Sequence, residues 1–294
     1  SKGIKSAFIQ ATQTLIAIHN WGWESVCYCF PGVSNPLKMP RYRWGKLFAD
    51  IYEKKLFSVL ANVDTILASA DDEAIADLVN RSCEKLTSER VIKFPTRVDT
   101  DIFKPLDKIT VRDELGINQT DNVIVSCGRL NIVKGWDFLL HAFKRLSQSD
   151  LSAKLVFVGD GEDRQKLHDK IQKLEIEDSV KVTGFVGADT VVKYINASNL
   201  CVVGSHNEGW SVAMLEALAC GKPIVSTNVS GAKDMIRQGQ NGFVVEKRNS
   251  VEFAKAMEFA LMLENSKKVS LSIAENYALK NLAKDLGRLW KPLS

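Results

Sequence analysis

No run in this sequence approaches the roughly 18 consecutive apolar residues that a bilayer-spanning helix needs. The opening Ser1-Lys2-Gly3-Ile4-Lys5 leads into polar-interrupted sequence, not the apolar heart of a secretory signal. The expectation is an intracellular, cytoplasmic protein. Cysteine is sparse, and Cys27, Cys29, Cys83, Cys127, Cys201 and Cys220 contain no C-x-x-C pair. Three of the six lie inside apolar strand-like runs, which suits small core residues better than disulfides or metal ligands. The four histidines, His19, His141, His168 and His206, are scattered without zinc spacing, so no metal site is expected. Excess charge is equally scarce. Lys plus Arg outnumber Asp plus Glu by 39 to 35, and a net charge of +4 does not mark a nucleic-acid binder unless the excess is clustered. No internal repeat of roughly 20 to 50 residues is visible. Four N-x-S/T matches, at Asn80, Asn118, Asn196 and Asn228, lack a secretory context that would make them matter.

What is present is an ordinary globular composition, 45% apolar and 25% charged, which excludes a disordered or low-complexity chain. At roughly 150 residues per domain, 294 residues suggest two domains. From Asp121 onward, short apolar runs alternate with stretches of helical period, the pattern of βαβ units on a parallel sheet. The expected strands are Val123–Cys127, Lys154–Val158, Val180–Thr183, Leu200–Val203, Pro223–Ser226 and Phe243–Val245. Between them, Trp136–Leu146 and Val251–Leu263 each place apolar residues on one helical face. Earlier in the chain, Ile4–His19, Arg41–Ala61 and Asp72–Asn80 read as helices, and Ser25–Cys29, Thr65–Ser69 and Val91–Phe94 as strands. The segment Thr96–Lys108 has no helical period and carries Pro105, which places a domain boundary at its end. The last segment, Ile273–Trp290, reads as helical.

In open parallel sheets ligands sit beyond the carboxyl ends of the strands, so the loops after the strands are the place to look for chemistry. After Val123–Cys127 comes Gly128-Arg129-Leu130-Asn131-Ile132-Val133-Lys134-Gly135, two cations between glycines that let a ligand approach the backbone closely. This suits a diphosphate, the alternative being two ordinary surface cations. After Leu200–Val203 comes Gly204-Ser205-His206-Asn207-Glu208-Gly209-Trp210, followed by an expected helix Ser211–Cys220 that contains Glu216. The amides of Ser211, Val212 and Ala213 at that helix start form a ready phosphate site. A carboxylate can accept two hydrogen bonds from vicinal hydroxyls. Glutamates on either side of a phosphate cradle therefore fit a sugar, a diphosphate and a ribose in series, against the alternative of a helix-start acid at Glu208 and a solvated Glu216.

Gly128–Gly135 resembles the G-R-L-x-x-x-K-G motif, and Glu208–Glu216 the E-x7-E motif, of the retaining glycosyltransferases of family 4, which have the GT-B fold. Val158-Gly159-Asp160-Gly161, Val182-Thr183-Gly184-Phe185, Leu215-Glu216-Ala217 running to Gly221-Lys222-Pro223, and Asn241-Gly242-Phe243-Val244-Val245 match the same family in order and spacing. The resemblance implies an α/β protein of two Rossmann-like lobes with parallel sheets. These would be a partial N-terminal acceptor-binding lobe (1–107), a C-terminal nucleotide-sugar-binding lobe (108–275), and a last helix crossing back to the first lobe (276–294). It implies a retaining, metal-independent hexosyltransferase that uses a UDP- or GDP-sugar as donor substrate, with no cofactor, and a glycan or lipid-linked acceptor in cell-surface polysaccharide or lipopolysaccharide synthesis. In that reading Arg129 and Lys134 hold the diphosphate, Glu208 meets the transferred sugar and Glu216 binds ribose. Gly128, Gly161, Phe185, His206, Gly209, Trp210, Ser211 and Val212 complete the donor site. The chemistry agrees, because fixed cations and helix-start amides stabilise charge that grows on the departing diphosphate.

Two motifs are weaker than they look. Asp99-Thr100-Asp101 matches the D-x-D of metal-dependent transferases, but it sits in a V-D-x-x-x-F-x-P segment that resembles the interdomain stretch of this family. Gly159-Asp160-Gly161 begins like a dinucleotide fingerprint, but Arg164 stands where the third glycine belongs. The first lobe departs from the family pattern. The chain begins midway through it, and about 80 residues of the usual first layer are expected to be missing by comparison with an ordinary domain size. Phe30-Pro31-Gly32 stands where many relatives carry a catalytic histidine before a glycine. His206, beside Glu208, is then the better candidate to touch donor sugar, with loop filler as the alternative reading. Lys38–Phe57 interleaves cations with aromatic and aliphatic residues, which fits either an anionic membrane surface or a core helix with a solvated basic face. Self-association, or pairing with a complementing N-terminal segment, is expected of a cut sheet. The rival readings are a non-catalytic nucleotide-sugar-binding or partner subunit, and another GT-B enzyme such as a sugar-nucleotide epimerase.

Overall fold

The computed structural model describes residues 6–30, 33 and 45–290, apart from the side chain of Lys46. The chain divides into two compact units, one of Ser1–Thr96 with Asn281–Ser294 and one of Arg97–Lys280. The first unit runs β1 (Ser6–Ile9), α1 (Thr12–Ile18), β2 (Ser25–Phe30), α2 (Gly45–Leu60), β3 (Thr65–Ala68), α3 (Asp72–Arg81) and β4 (Val91–Lys93). Its four strands pair in sequence order and all in parallel. The Asp71 side chain caps α3 by accepting from the Ala74 amide at 2.9 Å. Asp72 and Glu73 in the first turn and Arg81 in the last then match the helix dipole.

One sequence expectation fails here. Ile4–His19 is not a single helix, because Ser6–Ile9 is a strand in register with Ser25–Tyr28 and the helix starts at Thr12. Four residues of apolar sequence can serve either periodicity, and the open flank of β2 decides for the strand. Of the basic and aromatic segment 38–57, residues 38–44 lie outside the described residues, as do Pro31 and Gly32.

The second unit runs α4 (Lys108–Leu115), β5 (Asn122–Cys127), α5 (Trp136–Ser149), β6 (Ala153–Val158), α6 (Arg164–Lys173), β7 (Val180–Val182), α7 (Ala188–Ala197) and β8 (Leu200–Val203). It continues with α8 (Val212–Ala219), β9 (Ile224–Thr227), α9 (Ala232–Met235), β10 (Gly242–Val245), α10 (Ser250–Leu261) and α11 (Ser266–Asn276). The six parallel strands lie in the order β10-β9-β8-β5-β6-β7. The chain therefore builds outward from β5 through β6 to β7, then returns to the other flank of β5 with β8. That reversal opens a crevice at the carboxyl ends of β5 and β8. One core face gathers Leu140, Phe143, Leu167 and Phe253. The opposite face gathers Ile195, Met214, Leu218 and Ile273.

At the far ends of the strands, the fully buried Arg112 side chain donates to the carbonyls of Ala197, Asn118, Gln119 and Asp121 and to Asn199 Oδ1. A buried guanidinium is tolerable only when its donors are met in this way. Here it ties the entry of β5 to that of β8.

The division falls at Thr96/Arg97 and not after residue 107, because Val98 exchanges backbone hydrogen bonds with Tyr277 and Leu279 and Phe103 is part of the second unit's core. The same pairing interrupts the helix expected over Ile273–Trp290. After the break, α12 (Leu282–Leu289) belongs to the first unit, where Leu282, Leu286 and Leu289 pack on Cys27, Cys29, Leu67 and Phe94. Trp290 beyond it donates from Nε1 to the Ser25 hydroxyl at 2.9 Å.

Candidate active site in the second unit

Three strand-end loops build the crevice. The loop after β5 is stapled to the loop after β6: Leu130 N–H donates to the Asp160 carbonyl at 2.9 Å and Asp163 N–H to the Leu130 carbonyl at 3.1 Å. Their backbones touch so closely that a Cβ on Gly159 would lie 2.1 Å from the Gly128 oxygen, and one on Gly161 2.3 Å from the Leu130 oxygen. The Asn131 side chain accepts from the Lys134 amide at 3.1 Å, closing a tight turn that ends at Gly135, whose φ of +69° opens α5. His206 N–H donates to the Val133 carbonyl at 2.7 Å, which joins the loop after β8 to the same turn.

These constraints bring Lys134 and Glu208 together. Lys134 Nζ donates to both carboxylate oxygens of Glu208, at 2.7 and 3.0 Å, and the Ser205 hydroxyl donates to Glu208 Oε1 at 2.6 Å. The Glu208 side chain is 11% exposed and that of Lys134 39%, so the pair is partly desolvated and loss of one partner leaves the other costly.

Glu216 sits one turn into α8 and half-buried, and burial alone pushes its carboxyl up to about 7. Ser211, the residue that opens α8, makes no side-chain cap, so the first amides of the helix have no side-chain acceptor from it. Arg129, Lys134, Glu208 and Glu216 all line one cleft of about 660 Å³, together with Gly128, Phe185, Trp210 and Val212. Arg129 is exposed on its rim. Phe185 stands almost free in solvent at 86% exposure. Cys127 forms part of the floor, and its burial holds the thiol well above its ordinary value.

Other residues singled out in the sequence lie elsewhere. Gly161 serves the packing of the two loops. Gly209 and Ser211 carry the chain between Glu208 and α8 without lining the cleft. His206 faces a second, smaller cavity of about 280 Å³, which it shares with Phe138, His141 and Arg248. Burial and the Arg248 charge both depress its imidazole. Asp99 accepts from the Asp101 amide at 2.9 Å within its own turn. Among the described residues no group of three His, Cys, Asp or Glu side chains is placed to hold a metal ion.

Sequence reasoning missed Asp160 as a wall of the cleft, although it stands in the quoted Val158–Gly161 run. It also missed Ser205, whose only sequence signal is its place three residues before Glu208.

A parallel α/β unit with paired charges at its topological switch point has its cleft where open sheets of this kind bind their ligands. The family model of glycosyl transferases group 1 matches residues 107–277, more than half of the chain, and the chain belongs to that family. A D-inositol 3-phosphate glycosyltransferase of Geodermatophilus obscurus is 30% identical over 212 residues, 69% of this chain and 46% of that protein. A glycosyltransferase of Methanocaldococcus jannaschii without assigned specificity is 30% identical over 193 residues, 63% of this chain and 48% of that protein. The matched region thus spans about half the length of these curated relatives.

Among solved structures, Anabaena HepE in complex with UDP superposes with a TM-score of 0.81 at 18% identity, covering 97% of this chain and 79% of that one. Sucrose-phosphate synthase of Thermosynechococcus elongatus gives 0.81 at 17% identity, covering 97% and 72%. The fold is that of the GT-B glycosyltransferases.

Proposed function

We propose that this chain binds a UDP- or GDP-sugar in the cleft of its second unit and serves a retaining, metal-independent hexosyl transfer to a glycan or lipid-linked acceptor in cell-surface polysaccharide or lipopolysaccharide synthesis. The observation that carries the reading is the convergence of Arg129, the Lys134–Glu208 pair and the half-buried acid Glu216 on one cleft at the sheet's switch point. Arg129 and Lys134 meet the diphosphate and neutralise the charge that grows on it as the glycosidic bond breaks. The amides at the start of α8 assist them. Glu208 contacts the transferred sugar. Glu216 accepts from the two ribose hydroxyls, one at each oxygen, most fully when it is ionised. Binding of UDP by HepE, whose fold this chain shares, supports the choice of ligand class.

The donor arrives at a Lys134 already engaged by Glu208. Lys134 then shares its donors between carboxylate and phosphate, so the ligand completes a charge balance that the Lys134–Glu208 pair holds in part. Leu47, Phe48 and Ile51 stand 59–69% exposed on α2, with Lys54 and Lys55 exposed one turn on, and support contact of this helix with an anionic membrane surface. Among the described residues the outer edge of β1 has no partner strand, which supports pairing there with a second copy or a further segment.

The test is a thermal-shift and calorimetric screen against UDP- and GDP-sugars, since binding raises apparent stability by RT ln(1 + [L]/Kd). It is followed by transfer of radiolabel from the binding donor to a membrane extract. Binding with transfer upholds the proposal. Binding without transfer favours the non-catalytic subunit, and no binding of any nucleotide sugar refutes both.

A further inference from the structure

Behind the cleft, Arg248 joins three segments that are remote in sequence. Its Nη1 donates to the carbonyl oxygens of Gly204, at 2.6 Å, and Ser205, at 3.2 Å. Its guanidinium lies over the Phe138 ring of α5, 4.3 Å from the centroid. The fit leaves no slack. A Cβ on Gly135 would lie 1.8 Å from the Gly204 oxygen and 2.5 Å from the Arg248 guanidinium.

Ser205 is the hinge of the arrangement. Its carbonyl accepts from Arg248 and, at 2.7 Å, from the Thr227 hydroxyl, while its own hydroxyl donates to Glu208 Oε1 at 2.6 Å. The backbone of Ser205 is thereby held from two sides, and its hydroxyl in turn fixes one oxygen of Glu208. Hydrogen bonds from an ionised donor are roughly twice as strong as neutral ones. The planar guanidinium can stack on Phe138 and donate to both carbonyls at once, which a lysine ammonium cannot reproduce.

We propose that Arg248 is a positioning residue for the donor site: by clamping the Gly204 and Ser205 carbonyls against α5, it sets the approach of Glu208 to Lys134 and to the transferred sugar. The inference rests on the donor-site reading above and adds to it a residue that touches neither sugar nor phosphate. Its signature is that Arg248 acts through Glu208. Loss of the guanidinium should therefore alter recognition of the sugar, leave the ribose contact at Glu216 in place, and count for little once Glu208 is gone.

The experiment is a double-mutant cycle on binding. UDP-glucose, UDP-N-acetylglucosamine and GDP-mannose are titrated calorimetrically into the chain, and the donor that binds is compared with its own nucleoside diphosphate. The quantity followed is the ratio of the two dissociation constants. Glu208→Gln should shift that ratio by about tenfold, and Arg248→Gln should shift it the same way by a similar factor, the change falling on the sugar nucleotide more than on the bare nucleoside diphosphate. In the Glu208→Gln background, Arg248→Gln should add less than about twofold, the non-additivity expected of residues in one network. Arg248→Lys keeps the charge, so it should fold if Arg248→Gln does not and should show a smaller shift in the same direction.

An unchanged ratio, equal weakening of both ligands, or full additivity with Glu208→Gln overturns the positioning role. The donor-site reading fails separately, and takes this inference with it, if none of the three sugar nucleotides binds the parent chain or if Glu208→Gln leaves the ratio where it was.

Discussion

Both units are parallel α/β layers, yet the carboxyl ends of their strands are furnished differently. In the second unit β5, β6 and β8 run into Gly128, Gly159 and Gly204, and the first two adopt φ of +140° and +145°. Without side chains the loop backbones meet directly, and their polar groups and the Lys134–Glu208 pair are left facing a cleft. In the first unit β3 runs into Ser69-Ala70-Asp71, where the Ser69 hydroxyl donates to the Phe94 carbonyl and Asp71 caps α3. Those groups are spent on their own backbone. The same architecture thus yields a stable layer or a candidate site according to whether the strand-end side chains are consumed locally.

The sharpest way to break the comparison is a pair of alanine substitutions at left-handed glycines. Gly135→Ala must force a Cβ to 1.8 Å from the Gly204 oxygen and should cost several kcal/mol, enough to unfold the second unit. Gly22→Ala, at φ +74° with nothing within 4 Å of the new Cβ, should cost only about 1 to 2 kcal/mol. Denaturant melts that gave equal losses would show that the loop contact is not what constrains Gly135.

Next in size, Lys134→Ala should lower transfer by about 100-fold, roughly 2.7 kcal/mol, with the fold intact. Because Lys134 and Glu208 are paired, adding Glu208→Ala should cost less than the sum of the single changes. Parent-like rates, or strict additivity, would detach the pair from the chemistry. Arg129→Ala should also lower turnover by about 100-fold, through the diphosphate.

Glu216→Ala should weaken nucleoside diphosphate binding by about 1 to 3 kcal/mol, and calorimetry with UDP and GDP checks it. The acid also predicts a pH dependence. Its folded value of about 7 lies above its ordinary 4.5, so it favours the folded state fully below about pH 4.5, and that contribution is lost as pH rises through 7. The melting temperature of the ligand-free chain should carry a fall across that window which Glu216→Gln abolishes. Nucleotide affinity should move the opposite way, rising with pH as the carboxylate that serves ribose best becomes available.

The smallest effect belongs to α2. Sedimentation with liposomes should show binding that grows with anionic lipid and fades with salt, each of Lys54 and Lys55 adding about 1 kcal/mol. Replacing Leu47, Phe48 and Ile51 by serine should remove it. Equal partitioning to neutral and anionic vesicles would leave that helix without its electrostatic role.

In the second unit the six strands were legible, since runs such as Val123–Cys127 and Leu200–Val203 are short, β-branched and bounded by glycine, whereas of its helices only α5, α8 and α10 were singled out. The first was harder at Ser6–Ile9, where a four-residue apolar stretch next to a helical period takes its state from the strand it pairs with. Ile273–Trp290 misled for the same reason: Ala278 is drawn into pairing with Val98, and no local propensity announces a partner so remote. In the site, Arg129, Lys134, Glu208 and Glu216 could be picked out because each stands in a spaced motif after a strand. Arg248 could not, because Lys247-Arg248-Asn249-Ser250 reads as surface cations before a helix cap.

The sequence by itself determined the alternation of strand and helix, the parallel class of the sheets and the loops on which the charged residues stand, because periodicity, glycine and caps are local properties. Only the tertiary structure decided which of those residues meet. The reversal from β7 back to β8 puts Glu208 on Lys134, turns His206 toward a different cavity and lays Arg248 across Gly204 and Ser205. Burial of Glu216, and with it a carboxyl raised to about 7, is likewise a product of packing and not of its neighbours in the chain.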